Sequence, residues 1–379
     1  MENKKRILYF MSVPWGWIKQ RPHFLAEGLS KYYHVDVYYK KSTVIKTKNL
    51  LTAVPIDSEN LVIRSFRLIP FHAMPVLKRM KLEFINRFVL KMQVPNIKSY
   101  DYVWIPSPKL FKVIAPLLSP NQRVIYDCMD DCAEFGNYSE GSFERTTILA
   151  NEKLLLQRSD DVLFSAEFLK NKVLVRSGIS DKRTLVVNNA IEIPDNDIKI
   201  TLPDEVKEKL EIVKTQKKPL MYIGTIAEWF DFSIIEEALN NDADLSIILI
   251  GPSNVLIPKH PRIIYLGTLR RDYIFVFMST AYALVMPFVV NELIKSVNPV
   301  KLYEYIYTGK PVIAPRYMES EKFSEFVFLY ENKEVFMNCI KKAGEFTIND
   351  KYIEKCHSFL KNNTWSSRSN VITDFLENV

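Results

Sequence analysis

The sequence predicts an α/β protein with two parallel-sheet domains. Its 379 residues exceed what one hydrophobic core comfortably holds. Short apolar runs alternate with helical patterns in two series, one on each side of the polar stretch 191–218. Strands that alternate with helices favour parallel sheets covered on both faces. We therefore predict one domain over 1–190 and a second over 191–363, with the linker at the start of the polar stretch.

The first series opens as a β-α-β unit, with strand Arg6–Ser12, helix Arg21–Lys31 and strand Val35–Tyr39. No G-x-G-x-x-G motif follows the first strand, so a dinucleotide site of the Rossmann type is not predicted. The later elements are a helix over Glu144–Arg158 and short apolar strands at Tyr102–Ile105, Arg123–Tyr126, Asp161–Ser165 and Leu185–Asn188.

The second series repeats this alternation. The string Asp242–Ala243–Asp244 lies between a helix and a strand, so we interpret it as a turn and not as a metal site. Helices are predicted over Phe232–Leu239, Arg270–Thr280, Lys333–Ala343, Asp350–Lys361 and Ser366–Leu376. Strands are predicted at Pro219–Gly224, Leu245–Ile250, Ile263–Tyr265, Ala283–Met286, from Val312 and at Phe326–Tyr330.

One helix of this second series predicts a ligand site. Asn298 is a suitable N-cap, Pro299 suits the first helical position and Gly309 suits the left-handed end. A helix that opens beyond a strand's carboxyl end offers free N–H groups and a dipole to an anion. Lys301 and Glu304 share a face of its first turns. A cation for phosphate beside a carboxylate for ribose hydroxyls predicts a nucleotide-sugar site.

Two segments carry a family resemblance. The segment from Lys301 to Ala314, KLYEYIYTGKPVIA, resembles KLYEYLAAGKPVV of GT-B glycosyltransferases, in particular family-4-like bacterial surface-polysaccharide enzymes of the teichuronic-acid type. The segment PWGWIKQRPHFLAEGL resembles the W-x-W and QRP pattern in the first loop of the same group. The resemblance implies two Rossmann-like domains that face each other across a cleft. It also implies a C-terminal helix, about 364–379, that crosses back to the first domain.

The resemblance implies that Glu304 binds the donor's ribose and that the helix start and a glycine loop face its diphosphate. The donor residues are then Gly224, Thr225, Pro299, Val300, Lys301, Tyr303 and Glu304. Two features depart from the retaining relatives. Ser296 stands where they carry a first glutamate, and the glycine loop has no Arg or Lys. Lys301, Arg270, Arg271 or Lys295 could substitute for those cations, and the stereochemical outcome stays open.

The acceptor side is predicted in the first domain. In GT-B enzymes the first loop lies at the cleft, so acceptor or phosphate contacts are expected from Trp15, Trp17, Gln20, Arg21 and His23. Packing tryptophans and an exposed His23 are the alternative. Asp127, Asp130 and Asp131 cluster at a strand's carboxyl end, in a stretch that resembles YDxxDD of the same family. Either Asp130 or Asp131 is expected to be the catalytic base or an acceptor-sugar ligand. Turn and N-cap aspartates are the alternative.

Charge predicts a further partner. The net charge is +7, and the first hundred residues hold 18 basic against 6 acidic side chains. A helix after Pro75 repeats apolar residues at helical spacing (Leu77, Met80, Phe84, Phe88, Met92). Basic residues fill much of the rest (Lys78, Arg79, Lys81, Arg87, Lys91). This pattern is typical of a membrane-surface helix, and a core-facing helix with a solvated basic face is the alternative. None of the usual nucleic-acid motifs is present.

We therefore predict a metal-independent glycosyltransferase of the hexosyltransferase type, without a cofactor beyond its nucleotide-sugar co-substrate. It would move a sugar from a nucleotide-sugar, expected to be a UDP-sugar, to a lipid-linked or growing bacterial surface glycan. The alternatives are a nucleotide-sugar epimerase of the same fold and a non-catalytic GT-B partner at the membrane. The absence of a long apolar run, the short start MENKKRILYF and four scattered cysteines predict a cytoplasmic protein, peripheral on the inner face of the membrane.

Overall fold

The computed structural model describes residues 4–16, 18–41, 59–69, 83–135, 138–195 and 200–378. The chain divides into two compact units. Unit 1 comprises Met1–Asn188 and Trp365–Val379, and unit 2 comprises Asn189–Thr364. None of the helices in the described ranges has the length and apolar run that a membrane span requires.

Unit 1 contains seven strands and six α-helices within the described residues. In chain order they are β1 (Arg6–Met11), α1 (Arg21–Leu29), β2 (His34–Lys40), β3 (Leu61–Phe66), α2 (Glu83–Gln93), β4 (Tyr102–Ile105), α3 (Pro108–Ile114), β5 (Arg123–Cys128), α4 (Phe143–Arg158), β6 (Asp161–Phe164), α5 (Glu167–Ser177), β7 (Arg183–Val186) and, after unit 2, α14 (Trp365–Glu377). The strands form one parallel sheet in the order β3-β2-β1-β4-β5-β6-β7.

The chain returns to unit 1 through α14, which packs on α1. The rings of Phe24 and Trp365 stack with their centroids 4.9 Å apart. Gly28 lies where a Cβ would overlap the Ser369 hydroxyl, so only glycine permits this close approach of the two helices. Glu377, near the end of α14, accepts hydrogen bonds from Lys5 and from the Tyr33 hydroxyl. These contacts make α14 an integral part of unit 1.

Unit 2 holds a six-stranded parallel sheet in the order β10-β9-β8-β11-β12-β13. Its described elements, in chain order, are α6 (Asp204–Lys214), β8 (Lys218–Ile223), α7 (Phe232–Asn241), β9 (Leu245–Ile250), β10 (Ile263–Gly267), α8 (Arg271–Ser279), β11 (Ala283–Val285), α9 (Glu292–Lys295), α10 (Val300–Tyr307), β12 (Val312–Pro315), α11 (Met318–Glu321), β13 (Phe328–Tyr330), α12 (Lys333–Glu345) and α13 (Asp350–Lys361).

The prediction of two parallel α/β sheets is confirmed, but some elements differ from the sequence reading. Strand β3 and helix α3 lie where no element was predicted. Helix α6 lies within the polar stretch 191–218, where no helix was predicted. Its buried residues Val206, Leu210 and Val213 recur at helical spacing, whereas its other positions are charged or exposed. The predicted basic helix is described only from Glu83 onward.

Candidate functional site

The candidate donor site lies at the carboxyl edge of the unit 2 sheet. Along the chain, β8, β9 and β10 add strands in one direction, whereas β11, β12 and β13 add them in the other. The order therefore reverses between β8 and β11. Ligands of open parallel sheets bind in the crevice at such a reversal. The loop after β8 begins at Gly224, and the chain after β11 leads into α10.

Helix α10 begins one residue later than predicted. Pro299, not Asn298, is its N-cap, and Val300 is the first helical residue. Asn298 is buried, and its side-chain oxygen accepts a hydrogen bond from the Asn189 N–H at 3.0 Å. Its amide nitrogen donates to Glu319 at 3.1 Å, so its side chain is committed to other elements and leaves the helix N–H groups uncapped. Those N–H groups stay available to an anion.

Lys301 extends from the first turn of α10 towards the glycine loop. Its ammonium lies 5.7 Å from the centre of the Tyr222 ring. A Cβ on Gly224 would overlap the end of the Lys301 side chain and would lie 2.6 Å from its Nζ. No carboxylate among the described residues forms an ion pair with Lys301. Burial lowers the pKa of this ammonium, although the charge of Glu304 opposes the shift. A partly buried cation in this position suits an anionic ligand.

Glu304 lies one turn beyond Lys301 and is only 8% exposed. Arg271, the first residue of α8, forms an ion pair with it, with 2.7 Å between Arg271 Nη1 and Glu304 Oε1. The Arg271 Nε also lies 3.8 Å from Glu192. Of the other two cations proposed as substitutes, Arg270 is exposed and pairs with Asp272, whereas Lys295 is partly buried and pairs with Glu292. Lys301 and Arg271 are therefore the cations at the predicted ribose carboxylate.

The remaining predicted donor residues divide between loop and core. The Thr225 carbonyl accepts a hydrogen bond from the Tyr222 hydroxyl at 2.7 Å, which fixes the loop after Gly224. Tyr303 is buried and packs edge-on against Phe323, so its ring belongs to the core of unit 2. Pro299 is buried and Val300 is partly buried at the helix start.

The acceptor-side residues gather at the corresponding edge of unit 1. Its strand order reverses between β1 and β4, and the loop after β1 leads into α1. Arg21, at the start of α1, is buried and pairs with Asp127 at 2.9 Å. It also donates to the Val187 carbonyl at 2.6 Å. This arginine therefore ties α1 to the ends of β5 and β7.

His23 is buried, which contradicts the alternative of an exposed helix residue. Its Nδ1 accepts a hydrogen bond from the Gln20 N–H at 3.2 Å, and its Nε2 lies 3.3 Å from the Pro14 carbonyl. Burial lowers the pKa of His23 to about 4. Trp15 is buried with its ring 5.0 Å from the imidazole. Trp17 lies outside the described residues. The neutral imidazole thus holds the first loop in shape.

The structure separates the two candidate bases. Asp131 is fully buried and pairs with Arg176 at 2.7 Å and with Lys172 at 3.1 Å. Burial acts to raise the pKa of Asp131, but these cations outweigh it and lower the pKa. Asp130 is partly buried and forms no ion pair with any described residue. Burial raises its pKa to about 7, with the nearby charge of Arg21 opposing and those of Asp127 and Asp131 adding to the shift. Asp130 therefore has the ionisation expected of a general base.

The predicted membrane residues are described only in part. Lys78, Arg79 and Lys81 lie outside the described residues, Arg87 is partly buried and Lys91 is exposed. Three apolar residues of α2, at spacings of four, are strongly exposed: Phe84 (61%), Phe88 (65%) and Met92 (72%). Leu90 alone of this helix is buried. The described part of the apolar stripe therefore faces outward, which for these three residues contradicts the alternative of a core-facing helix.

The chain turns at Asp242–Ala243–Asp244 between α7 and β9, as predicted for the D-x-D string. Asp242 pairs with Lys218 and Asp244 with Lys217. Within the part of the chain that the structure describes, no group of three or more His, Cys, Asp or Glu side chains could hold a metal ion.

Comparison with solved structures identifies the architecture. HepE of Anabaena, solved with UDP and glucose, is 16% identical with a TM-score of 0.67, and the match covers 98% of this chain and 99% of HepE. Sucrose-phosphate synthase of Thermosynechococcus elongatus is 16% identical with a TM-score of 0.69, over 99% of this chain and 98% of that enzyme. The chain has the GT-B fold.

Sequence comparison adds one curated relative and no family. The GT-B chain is 25% identical over 243 residues to TuaH of Bacillus subtilis (strain 168), which is provisionally named as a teichuronic acid biosynthesis glycosyltransferase. The alignment covers 61% of this chain but only 59% of TuaH. No protein-family model matches the chain. The resemblance to GT-B enzymes of the teichuronic-acid type is thereby confirmed.

Sequence reasoning missed two features of this GT-B site. Arg271 was considered for the diphosphate but not as the partner of Glu304, because they follow different strands and no spacing connects them. The Tyr222 ring beside Lys301 was interpreted only as part of a strand. An aromatic residue two positions before a strand-ending glycine is a weak signal by itself.

Proposed function

We propose that this chain is a glycosyltransferase of the hexosyltransferase type. It would move a sugar from a UDP-sugar to a lipid-linked or growing bacterial surface polysaccharide. The observation that carries the proposal is the pair of Lys301 and Glu304 on the uncapped helix at the sheet's reversal point. HepE, which shares the fold, was solved with UDP and with UDP-glucose. The name of TuaH supports a cell-envelope glycan as acceptor.

On the donor side, Glu304 would accept hydrogen bonds from the ribose hydroxyls. The diphosphate would meet the N–H groups of the α10 start, the loop at Gly224 and Thr225, and the Lys301 ammonium. These groups would stabilise the charge that develops on the departing diphosphate, as preorganised donors do in a desolvated site. In this proposal no resident metal or cofactor is required.

On the acceptor side, Asp130 would take the proton from the attacking hydroxyl if the reaction inverts the anomeric centre. Arg21 and Asp127 would shape the floor of the site through their buried ion pair. Trp15, Gln20 and His23 would form its rim. Asp131 would hold the loop in place through Arg176 and not take part in proton transfer.

We further propose that unit 1 binds the inner face of the cell membrane from the cytoplasm. The exposed stripe of Phe84, Phe88 and Met92 with Lys91 beside it supports this. Aromatic and apolar side chains enter the interface of a bilayer while basic ones bind anionic headgroups. The basic excess of the first hundred residues suits the same surface.

The donor proposal is tested by calorimetry with UDP, GDP, dTDP, CMP and their sugars. UDP or a UDP-sugar should bind, and Glu304→Gln should weaken that binding about tenfold, because ribose loses a charged acceptor. Glu292→Gln, an exposed glutamate of α9, is the matched control. If none of these nucleotides binds, a non-catalytic GT-B partner becomes the better assignment. Turnover of the donor without any acceptor would instead indicate an epimerase.

The membrane proposal is tested by sedimentation with vesicles of phosphatidylglycerol and phosphatidylcholine. The double variant Phe84→Ser, Phe88→Ser should stay in the supernatant, whereas the parent pellets. Val175→Ser on α5, at a position that is 82% exposed, is the control for loss of an exposed apolar group. Equal sedimentation of the double variant and the parent would refute the role of this stripe.

A further inference from the structure

The pairing of Glu304 with Arg271 raises a question of orientation that the donor proposal leaves open. The Glu304 side chain is only 10% exposed, and a buried polar group is costly without a hydrogen-bond partner. A carboxylate that is free to rotate would not offer a fixed pair of acceptors to the ribose. Some group must therefore pair with this carboxylate and orient it.

Arg271 is placed to do this. It comes from the start of α8, after β10, whereas Glu304 comes from α10, after β11. Its Nη1 lies 2.7 Å from Glu304 Oε1, and its side chain is 22% exposed. The planar guanidinium fixes a carboxylate more narrowly than an ammonium does. A carboxylate has about four lone-pair sites, so pairing with arginine leaves acceptor capacity for other donors.

We propose that Arg271 is a positioning residue that orients Glu304 towards the ribose and so gives the site its preference for ribonucleotides over 2′-deoxyribonucleotides. This inference rests on the proposed donor function. A site built to accept from a hydroxyl discriminates against the analogue that lacks it, because the acceptor is then left unpaired. Arg271 acts through the carboxylate and makes no contact of its own with the sugar.

The experiment compares four probes: UDP, 2′-deoxy-UDP, UMP and 2′-deoxy-UMP, bound to the whole chain in calorimetry. The parent should bind UDP about tenfold more tightly than 2′-deoxy-UDP. Arg271→Gln should remove most of that preference by weakening UDP, with little change for 2′-deoxy-UDP. The ratio of UDP to UMP affinity, which reports the β-phosphate, should be unchanged. Arg271→Lys should restore part of the preference because it keeps the charge but loses the planar fork.

The neighbouring Arg270 supplies a matched control. It is exposed, and among the described residues its ion pair is with Asp272, so Arg270→Gln should leave all four affinities as in the parent. The double variant Arg271→Gln, Glu304→Gln should lose no more preference than either single variant. That non-additivity is what a residue acting through another predicts.

The other outcomes are distinct. If Arg271→Gln weakens UDP and 2′-deoxy-UDP equally and lowers the UDP to UMP ratio, Arg271 binds the diphosphate and the inference is wrong. If the parent binds UDP but does not prefer it to 2′-deoxy-UDP, the inference fails while the donor proposal survives. If the parent binds no nucleotide at all, both the donor proposal and this inference are wrong. Arg271→Lys keeps the test decisive if Arg271→Gln does not fold.

Discussion

Both sheets have carboxylates at their carboxyl edges, but these carboxylates differ in whether a cation pairs with them. In unit 2, Glu304 is paired with Arg271. In unit 1, Asp127 is paired with Arg21 and Asp131 with Arg176, whereas Asp130 has no cation of the described residues in contact. A carboxylate that is paired with an arginine is held in one orientation, which suits binding. A desolvated carboxylate without a partner holds its proton until near neutral pH, which suits proton transfer.

The largest effect, a loss of catalytic rate, is expected from substitution of Asp130. If it is the base, Asp130→Asn should lower kcat about 10²–10⁴-fold, while UDP affinity stays as in the parent. The rate of the parent should rise with pH through about 7, since only the deprotonated carboxylate accepts a proton. UDP release measured from pH 5.5 to 8.5 checks both statements, with the exposed Asp181→Asn as control. A parent rate that is flat across that range would exclude Asp130 as the base.

Asp130→Asn should lower the rate, but it should stabilise the folded protein at high pH. The pKa of Asp130 is about 7 in the folded protein against an ordinary value of 3.8, so the folded state binds the proton more tightly than the unfolded state does. The contribution of this group is therefore most favourable below the unfolded pKa and is lost as pH rises through about 7. Asp130→Asn should raise Tm at pH 8 but not at pH 4, as measured by calorimetric melts of both proteins.

A second prediction removes a pairing cation. Arg176 bonds Asp131 at 2.7 Å and Glu152 at 2.7 Å, and both carboxylates are buried. Arg176→Met should lower the free energy of unfolding by about 3–5 kcal/mol, because it leaves buried charges without a partner. Urea denaturation measures this change. Lys207→Met, which removes a cation from an exposed pair on α6, should cost at most about 1 kcal/mol. Similar losses for the two variants would contradict the role assigned to burial.

The smallest effects, on UDP affinity and on stability, are expected at the donor loop. Gly224 has φ near +150° and lies against the end of Lys301. Gly224→Ala should displace that ammonium and weaken UDP about tenfold, with a stability loss of about 1–3 kcal/mol from backbone strain. Calorimetry and thermal melts measure the two effects. Gly178→Ala has positive φ and open space around it, so it should show strain without loss of affinity. Unchanged UDP affinity in Gly224→Ala would contradict the proposed contact between Lys301 and the diphosphate.

Much of the fold follows from the sequence because buried parallel strands are short apolar runs. Strand β3, Leu61–Phe66, was not predicted because Arg64 and Ser65 interrupt its apolar pattern. Helix α6 was not predicted because charged residues dominate its composition, although the spacing of its three buried residues indicates a helix. Whether such a stretch forms a strand or a helix depends on the residues that contact it in the fold, and these are not apparent from the stretch itself.

The candidate site was predictable only where its residues share one element. Lys301 and Glu304 lie three positions apart on one helix, so their common face follows from helical geometry. Asp130 and Asp131 are adjacent and chemically identical, and only the distant Arg176 and Lys172 distinguish them. The pair of Arg271 and Glu304 likewise joins two crossover connections. Contacts of this kind depend on strand order, which periodicity does not reveal.

The return of α14 to unit 1 has a consequence for the order of events during synthesis. Residues 1–188 emerge from the ribosome without the helix that stacks Trp365 on Phe24 and places Ser369 against Gly28. All of unit 2 is made before α14 appears. At ~5–20 residues per second, the α1 face of unit 1 waits on the order of ten to thirty seconds for its cover. The first unit to be made is therefore the last to be completed, and its nascent apolar face is a natural client for a chaperone.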